Sequence, residues 1–149
     1  MNLVKTQIEF EAAHRLYDVA TYTEACRENL HGHSYKVLVT IGRDNLNAAG
    51  MVMDFKQLKE IVNNCITTPY DHSCILKSTD PLAGPVRENC KKVHIVEDNP
   101  TAEWMCIEFV KIINDELQKV DSEIYVDELA VQETTNNIAI YRRDESKVI

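Results

Sequence analysis

The sequence predicts an α+β fold in which a four-stranded antiparallel sheet has two helices packed on one face. Four segments, two near the start of the chain and two near its end, alternate apolar and polar residues as half-buried strands do. Two segments between them carry apolar residues at helical spacing. The order strand, strand, helix, helix, strand, strand suits an antiparallel sheet with its helices on one side.

The first two strands are predicted from this alternation. From Thr6 to His14, apolar residues and the histidine share one face, so His14 is expected to point inward. A second strand is predicted over about Leu30 to Ile41, where His31 and His33 share a face. A glycine and a turn-rich segment follow it and end the strand.

After this turn-rich segment the apolar residues recur at helical spacing, which predicts a helix from Phe55 to about Ile66. Asp54, with Gln57 three residues later, resembles a capping box at its start. The stretch from Thr67 to Lys92 contains prolines and a glycine and is predicted to be a long irregular connection. Such loops in compact domains are usually functional.

The second helix follows a short strand expected around Val93 to Val96 and runs to about Lys119. Asn99 or Thr101 is its predicted N-cap, and Glu103 is placed favourably toward the helix dipole.

A β-hairpin is predicted to close the sheet, with strands over Ile124 to Glu133 and Ile138 to Arg142. No internal repeat is visible, and 149 residues fit one domain, so we expect a single domain over 1–149.

Composition narrows the function classes. A formal net charge of −8 argues against nucleic-acid or membrane-surface binding, which needs a basic patch. Five scattered cysteines without a CxxC pair favour reduced thiols over a disulfide framework. The absence of a signal-peptide-like or membrane-spanning run leads us to expect a cytoplasmic protein.

Three histidines are the strongest chemical signal. His31 and His33 lie two apart on a strand and project side by side, and His14 on the neighbouring strand is positioned to complete a tripod. Three imidazoles with an open fourth position are typical of catalytic zinc sites, although imidazole also suits copper, iron and nickel. The competing interpretation is a group of hydrogen-bonded histidines. A cupin-like site is disfavoured because no glutamate follows shortly after the second histidine.

Acidic and thiol side chains supply candidates for proton transfer. Asp71 precedes His72, and a carboxylate-oriented imidazole is a common proton carrier near neutral pH. Cys26 and Glu28 come shortly before His31, and each is a candidate base. Glu133 lies on the inward face of its predicted strand, where it can accept from the ring edge of a pterin or guanine, or can simply face water.

The motifs FEAAH, HGH with an upstream cysteine, GMVMDF, YDH, PTAEW and QET occur in this order along the chain. Together they resemble the 6-pyruvoyltetrahydropterin synthase / 6-carboxytetrahydropterin synthase family over nearly its whole length. The resemblance implies the tunnelling fold, in which three subunits form a barrel and two trimers stack into a homohexamer. It also implies a small-molecule substrate, 7,8-dihydroneopterin triphosphate, and zinc as the cofactor.

The resemblance implies a role for each matching residue. The zinc ligands are His14, His31 and His33, the base is Cys26, the proton relay from a neighbouring subunit is Asp71 with His72, the pterin anchor is Glu133, and Thr101 and Glu103 help to line the pocket.

This chain departs from the family pattern before the HGH motif. Cys26 stands five residues before His31, whereas the queuosine-pathway enzymes have a CxxxHGH spacing. Glu28 occupies the place of a glutamate that a folate-linked branch uses as its base. The expected product is 6-carboxy-5,6,7,8-tetrahydropterin, and the alternatives are 6-pyruvoyltetrahydropterin and 6-hydroxymethyl-7,8-dihydropterin.

Two other functions compete with this one. A hydrolase like GTP cyclohydrolase shares the fold, but its zinc has cysteine ligands, and no suitable pair occurs here. A non-catalytic pterin- or metal-binding module would need only the tripod. Arg15, Arg27 and Lys36 are candidate ligands of the triphosphate.

Overall fold

A six-stranded sheet forms the centre of the computed structural model, which describes residues 1–144. The last five residues of the predicted domain 1–149 lie outside that range. The strands are β1 (Asn2–His14), β2 (His31–Arg43), β3 (Ser73–Lys77), β4 (Val93–Val96), β5 (Tyr125–Thr134) and β6 (Asn137–Arg142). They lie in the order β4-β3-β1-β2-β5-β6.

The predicted antiparallel sheet corresponds to four of these strands. β1 pairs with β2, β2 with β5, and β5 with β6, all antiparallel. The prediction is wrong for the other side of the sheet, because β3 lies parallel to β1, and β4 lies parallel to β3. β3 escaped sequence analysis because it is short, lies between two strands and is almost wholly buried, so its residues do not alternate.

Within residues 1–144, five helices of different lengths accompany the sheet. They are α1 (Ala25–Glu28), α2 (Phe55–Val62), α3 (Thr68–Tyr70), α4 (Ala83–Asn89) and α5 (Ala102–Val120). The predicted first helix is observed as α2 followed by a π-helical turn over Asn63–Thr67. The predicted irregular connection from Thr67 to Lys92 is wrong, since it contains α3, β3 and α4.

Capping side chains explain where the helices α2 and α5 begin. Asp54 accepts hydrogen bonds from the backbone N–H groups of Lys56 and Gln57, at 2.8 and 3.2 Å. Thr101 caps α5 by accepting from the backbone N–H of Trp104 at 3.1 Å. Of the two residues predicted as the N-cap of α5, Thr101 therefore caps the helix and Asn99 does not.

The core lies between one face of the sheet and the helices α2 and α5. Phe10 of β1 stacks on Tyr35 of β2 and meets Phe109 of α5 edge to face, and all three belong to one hydrophobic core. Leu58 and Ile113 complete the buried layer from the two helices. This packing fixes one face of β1 and β2 as the inner face, on which the functional histidines also lie.

No helix within residues 1–144 combines the length and the apolar character that a membrane span requires.

Replacing Phe109 with alanine tests this core. The ring is fully buried and contacts Phe10 and Tyr70, so we expect the free energy of unfolding to fall by about 3–5 kcal/mol. Urea denaturation followed by circular dichroism at one protein concentration measures it. Ile107→Ala on the same helix is the control, because that side chain is half exposed. Equal losses in the two variants would contradict the assignment of the core face.

Candidate metal centre

The pairing of β1 with β2 brings the three histidines together. His14 lies directly opposite His31, and Ala12 lies opposite His33, so all three imidazoles project from one face. Their candidate ligand atoms all lie within 4.8 Å of one another. The ring centroids are 4.7 to 5.1 Å apart, and each pair of rings meets edge to face.

Backbone carbonyls orient two of these rings. His14 donates from Nδ1 to the carbonyl oxygen of Pro100 at 2.7 Å, and His31 donates from Nδ1 to that of Asn29 at 2.8 Å. A carbonyl oxygen can only accept, so Nδ1 carries the proton in both rings. The lone pair of each Nε2 is therefore free to bind a metal ion, as in metal sites whose ligand histidines are oriented by a second hydrogen bond.

The surroundings of the cluster favour neutral imidazoles. Burial is the main cause that lowers the pKa of His14 to about 4; the hydrogen bond to Pro100 opposes this shift, and the nearby rings of His31 and His33 add to it. Burial also lowers the pKa of His33, although the carboxylate of Glu133 opposes that effect. Only a neutral imidazole can bind a metal, so the site holds these two ligands in the competent form.

The donor set fits a zinc ion. Three imidazole nitrogens lie close together, and His14 and His31 line a pocket, which fits the ligand arrangement of zinc sites with an open position. A carboxylate stands beside them, with Glu133 Oε1 at 3.5 Å from His14 Nε2 and 3.7 Å from His33 Nε2. The residue types alone would also accept copper, iron or nickel.

A pocket of about 510 Å³ opens at the histidines. Several of the predicted site residues line it together with His14 and His31, and these are Cys26, Thr101, Glu103 and Glu133. Thr101 and Glu103 come from the first turn of α5, and Glu133 comes from β5. Four segments far apart in sequence thus supply one pocket.

The two candidate bases lie in different places. Cys26 is on α1 and lines the histidine pocket, and its carbonyl oxygen accepts from the N–H of Leu16 at 3.0 Å. Glu28 lines a separate pocket with Tyr17 and Arg27. The structure therefore brings Cys26, and not Glu28, to the histidines.

Asp71 and His72 lie at the edge of β1, just before β3 and outside the histidine pocket of their own chain. Asp71 Oδ1 accepts from the N–H of Glu11 at 2.9 Å, and the N–H of His72 donates to Glu11 O at 2.6 Å. Glu11 and Ser34 alternate with the core-facing residues of β1 and β2, and both line a pocket with His72 that His33 also borders. Within one chain this pair does not line the pocket that contains Cys26.

The Asp71–His72 pair is nevertheless well ordered for proton transfer. Asp71 Oδ2 lies 2.9 Å from His72 Nδ1, and the side chain of His72 is 80% exposed. The N–H of Glu11, and then His72, hold the pKa of Asp71 below its usual range. His72 has φ 58°, a left-handed conformation that is uncommon and costs energy in a non-glycine residue.

The candidate phosphate ligands are engaged elsewhere. Arg15 forms a two-point ion pair with the buried carboxylate of Asp80. Arg27 pairs with Glu24 at 2.9 Å, and Lys36 lies 3.7 Å from Glu9. None of the three lines the histidine pocket, so the arrangement within residues 1–144 gives them no support as triphosphate ligands.

Some important groups carried no recognisable sequence signal. The carbonyl of Pro100 orients His14, and a backbone atom has no residue-type signature. Asn136, in the turn between β5 and β6, and Asn137, the first residue of β6, also line the pocket, but in the sequence they resemble ordinary turn residues. His94 stacks on Tyr70 with ring centroids 4.1 Å apart and is part of the structural framework.

Comparison with known proteins adds independent findings. The sequence profile of the family described as 6-pyruvoyl tetrahydropterin synthase matches residues 3–144. A 6-carboxy-5,6,7,8-tetrahydropterin synthase of Rickettsia conorii is 33% identical over 132 residues, which cover 87% of this chain and 92% of the relative. The 6-pyruvoyl tetrahydrobiopterin synthase of Homo sapiens is 31% identical over 147 residues, which cover 93% of this chain and 90% of the relative.

A solved structure supports the fold. A variant of Plasmodium vivax 6-pyruvoyltetrahydropterin synthase, with a catalytic glutamate replaced, superimposes with a TM-score of 0.67 and 20% identity. The match covers 97% of this chain and 99% of the other. At this identity the likeness establishes the α+β fold alone.

Replacing one histidine of the cluster tests the metal centre. His31→Ala removes one of three ligands, so we expect zinc affinity to fall by more than about 100-fold, since even the loss of an outer hydrogen-bond partner costs 10- to 100-fold. Equilibrium dialysis with elemental analysis measures it. His72→Ala is the matched control, because it removes an exposed imidazole outside the cluster. Unchanged zinc affinity in His31→Ala would contradict the assignment.

Proposed function

Because the chain belongs to the 6-pyruvoyl tetrahydropterin synthase family, we propose that it is a zinc-dependent lyase acting on 7,8-dihydroneopterin triphosphate. The proposed product is 6-carboxy-5,6,7,8-tetrahydropterin, as in the queuosine pathway. The name of the Rickettsia conorii relative supports this product, and that of the human relative supports the 6-pyruvoyl alternative. The observation that carries the proposal is the convergence of Cys26, Glu133 and the histidine cluster on one pocket.

His14, His31 and His33 would hold the zinc ion. When bound there, zinc supplies positive charge that makes hydroxyl groups of the substrate side chain more acidic. The carbonyl of Pro100 keeps the His14 ring oriented, and the burial of this ring keeps it neutral.

Cys26 and Glu133 both line the pocket and would act on different parts of the substrate. Cys26 is exposed at the mouth beside His31, where its thiolate would remove a carbon-bound proton from the side chain. Glu133 would accept two hydrogen bonds from the N–H and amino groups of the pterin ring, as a carboxylate does with paired donors. Thr101 and Glu103 would form the wall between them.

Asp71 and His72 would serve the pocket of a neighbouring subunit. They lie outside the histidine pocket of their own chain, and the side chain of His72 is exposed to solvent. Strand edges are open for assembly among residues 1–144, since β4 and β6 each have a neighbour on one side, and β3 covers only Ala12–His14 of β1. Open edges are the parts of a sheet that pair with other chains. A ring of three subunits, stacked into a hexamer, would unite both halves of the site.

The cytoplasmic location, the single domain over 1–149 and the absence of nucleic-acid or membrane partners stay predictions from the sequence.

The reaction and its base are tested in one assay. Zinc-loaded protein is incubated with 7,8-dihydroneopterin triphosphate, and mass spectrometry identifies the pterin and the released carbon fragment. We expect Cys26→Ala to reduce formation of the carboxylated product by about 10²- to 10⁴-fold, the usual contribution of a general base. Glu28→Ala is the matched control, because Glu28 lines a different pocket. Unaltered substrate with the wild-type protein would refute the proposed reaction, and unaltered products in Cys26→Ala would exclude the thiol as base.

The shared site is tested by complementation. Cys26→Ala and His72→Ala chains are each expected to be inactive, but their co-expression should restore activity to about a quarter of the sites under random assembly. A site then takes its cysteine from one chain and its relay from the next. Co-expression of Cys26→Ala with His31→Ala should restore nothing, because both residues must come from the same chain. Activity in neither mixture would contradict a site shared between subunits.

A further inference from the structure

Asn99 makes an unusual two-point contact just before α5. Its side-chain oxygen accepts from the N–H of Tyr17 at 2.7 Å, and its side-chain nitrogen donates to the carbonyl oxygen of the same residue at 3.0 Å. The oxygen and the nitrogen of the Asn99 amide therefore both bond to the backbone of one residue, which lies 82 residues away along the chain. Tyr17 belongs to the polar segment that follows β1, and among residues 1–144 no strand or helix includes it.

The residue after Asn99 orients a candidate metal ligand. Pro100 is buried, and its carbonyl oxygen accepts from His14 Nδ1 at 2.7 Å. The proline ring fixes φ of Pro100, so only the ψ torsion remains to place its carbonyl once Asn99 is fixed. On its other side, Thr101 caps α5 and its N–H donates to Asn99 O at 2.8 Å. The contact between Asn99 and Tyr17 thus joins the residue before Pro100 to the segment after His14, next to the hydrogen bond between His14 and Pro100.

The same contact also bears on the candidate base. Leu16, the residue before Tyr17, donates its N–H to the carbonyl oxygen of Cys26 at 3.0 Å. Cys26 lies on α1, a helix of four residues in which no side chain is buried. With so little packing of its own, α1 depends on contacts such as this one for its place beside the histidines.

We propose that Asn99 is a positioning residue of the metal centre. Its amide fastens the segment after β1 to the start of α5, which keeps Pro100 O on His14 Nδ1 and Cys26 at the pocket. This inference rests on the proposed function only in that the histidine cluster binds a metal ion. It assigns to Asn99 no contact with substrate or metal.

The test measures metal affinity and backbone protection in Asn99→Ala. Co²⁺ is titrated into the metal-free protein, and its absorbance reports both affinity and ligand geometry. We expect affinity to fall by about 10- to 100-fold, the usual cost of losing support behind a metal ligand. Hydrogen exchange with residue-level mass spectrometry should show faster exchange at Leu16, whose N–H does not touch Asn99. Asn89→Ala is the matched control, since that exposed amide also donates to a backbone carbonyl, that of Pro85, away from the pocket.

A second variant keeps the test decisive if Asn99→Ala does not fold. Asn99→Asp can still accept from Tyr17 N–H but cannot donate to Tyr17 O, so its Co²⁺ affinity should also lie below that of the wild type. Wild-type affinity together with wild-type exchange at Leu16 in a folded Asn99 variant would overturn the proposal. So would weaker Co²⁺ binding matched by Asn89→Ala. If the wild-type protein binds no Co²⁺, the proposed function fails, and exchange at Leu16 alone decides whether Asn99 holds this segment.

Discussion

The register between β1 and β2 is the constraint on which the site depends. The two strands pair over their full length, from Asn2 opposite Arg43 to His14 opposite His31. Phe10 and Tyr35 stack within this ladder and bind its inner face to the helical layer. Because side chains alternate, a slip of one residue would turn both β2 histidines to the opposite face. The hydrophobic core therefore selects the register that assembles the three imidazoles.

Burial of the histidine cluster has a chemical consequence. The pocket removes His14 from water and leaves it 3% exposed, which penalises its charged form. The acceptor at Nδ1 comes from a backbone carbonyl at the start of α5, so helix placement and ring orientation are linked. The same first turn supplies Thr101 and Glu103 to the wall of the pocket. Packing of α5 on the sheet thus contributes to the metal centre as well as to stability.

Elements with a long and local residue pattern could be predicted from the sequence. The alternation in β1 and β2 and the helical spacing of α5 predicted these elements, and the HGH motif with His14 predicted a histidine cluster on one face. The prediction failed over Thr67 to Lys92, where β3 is covered on both sides and shows no alternation. Cys26 and Glu28 were equal candidates in the sequence, since two residues of separation along a polar segment do not reveal which pocket each will line.

The sequence by itself determined the residue types, the period of the main strands and helices, and the family to which the chain belongs. Only the tertiary structure decided that β3 and β4 run parallel to β1, and that Pro100 and Asn99 support His14 and the segment after it. It also decided that Asp71 and His72 lie outside the histidine pocket of their own chain. The physical reason is the range of the interactions. Side-chain alternation and capping act over a few residues, whereas these contacts join segments that are tens of residues apart and become neighbours only when the sheet and α5 pack together.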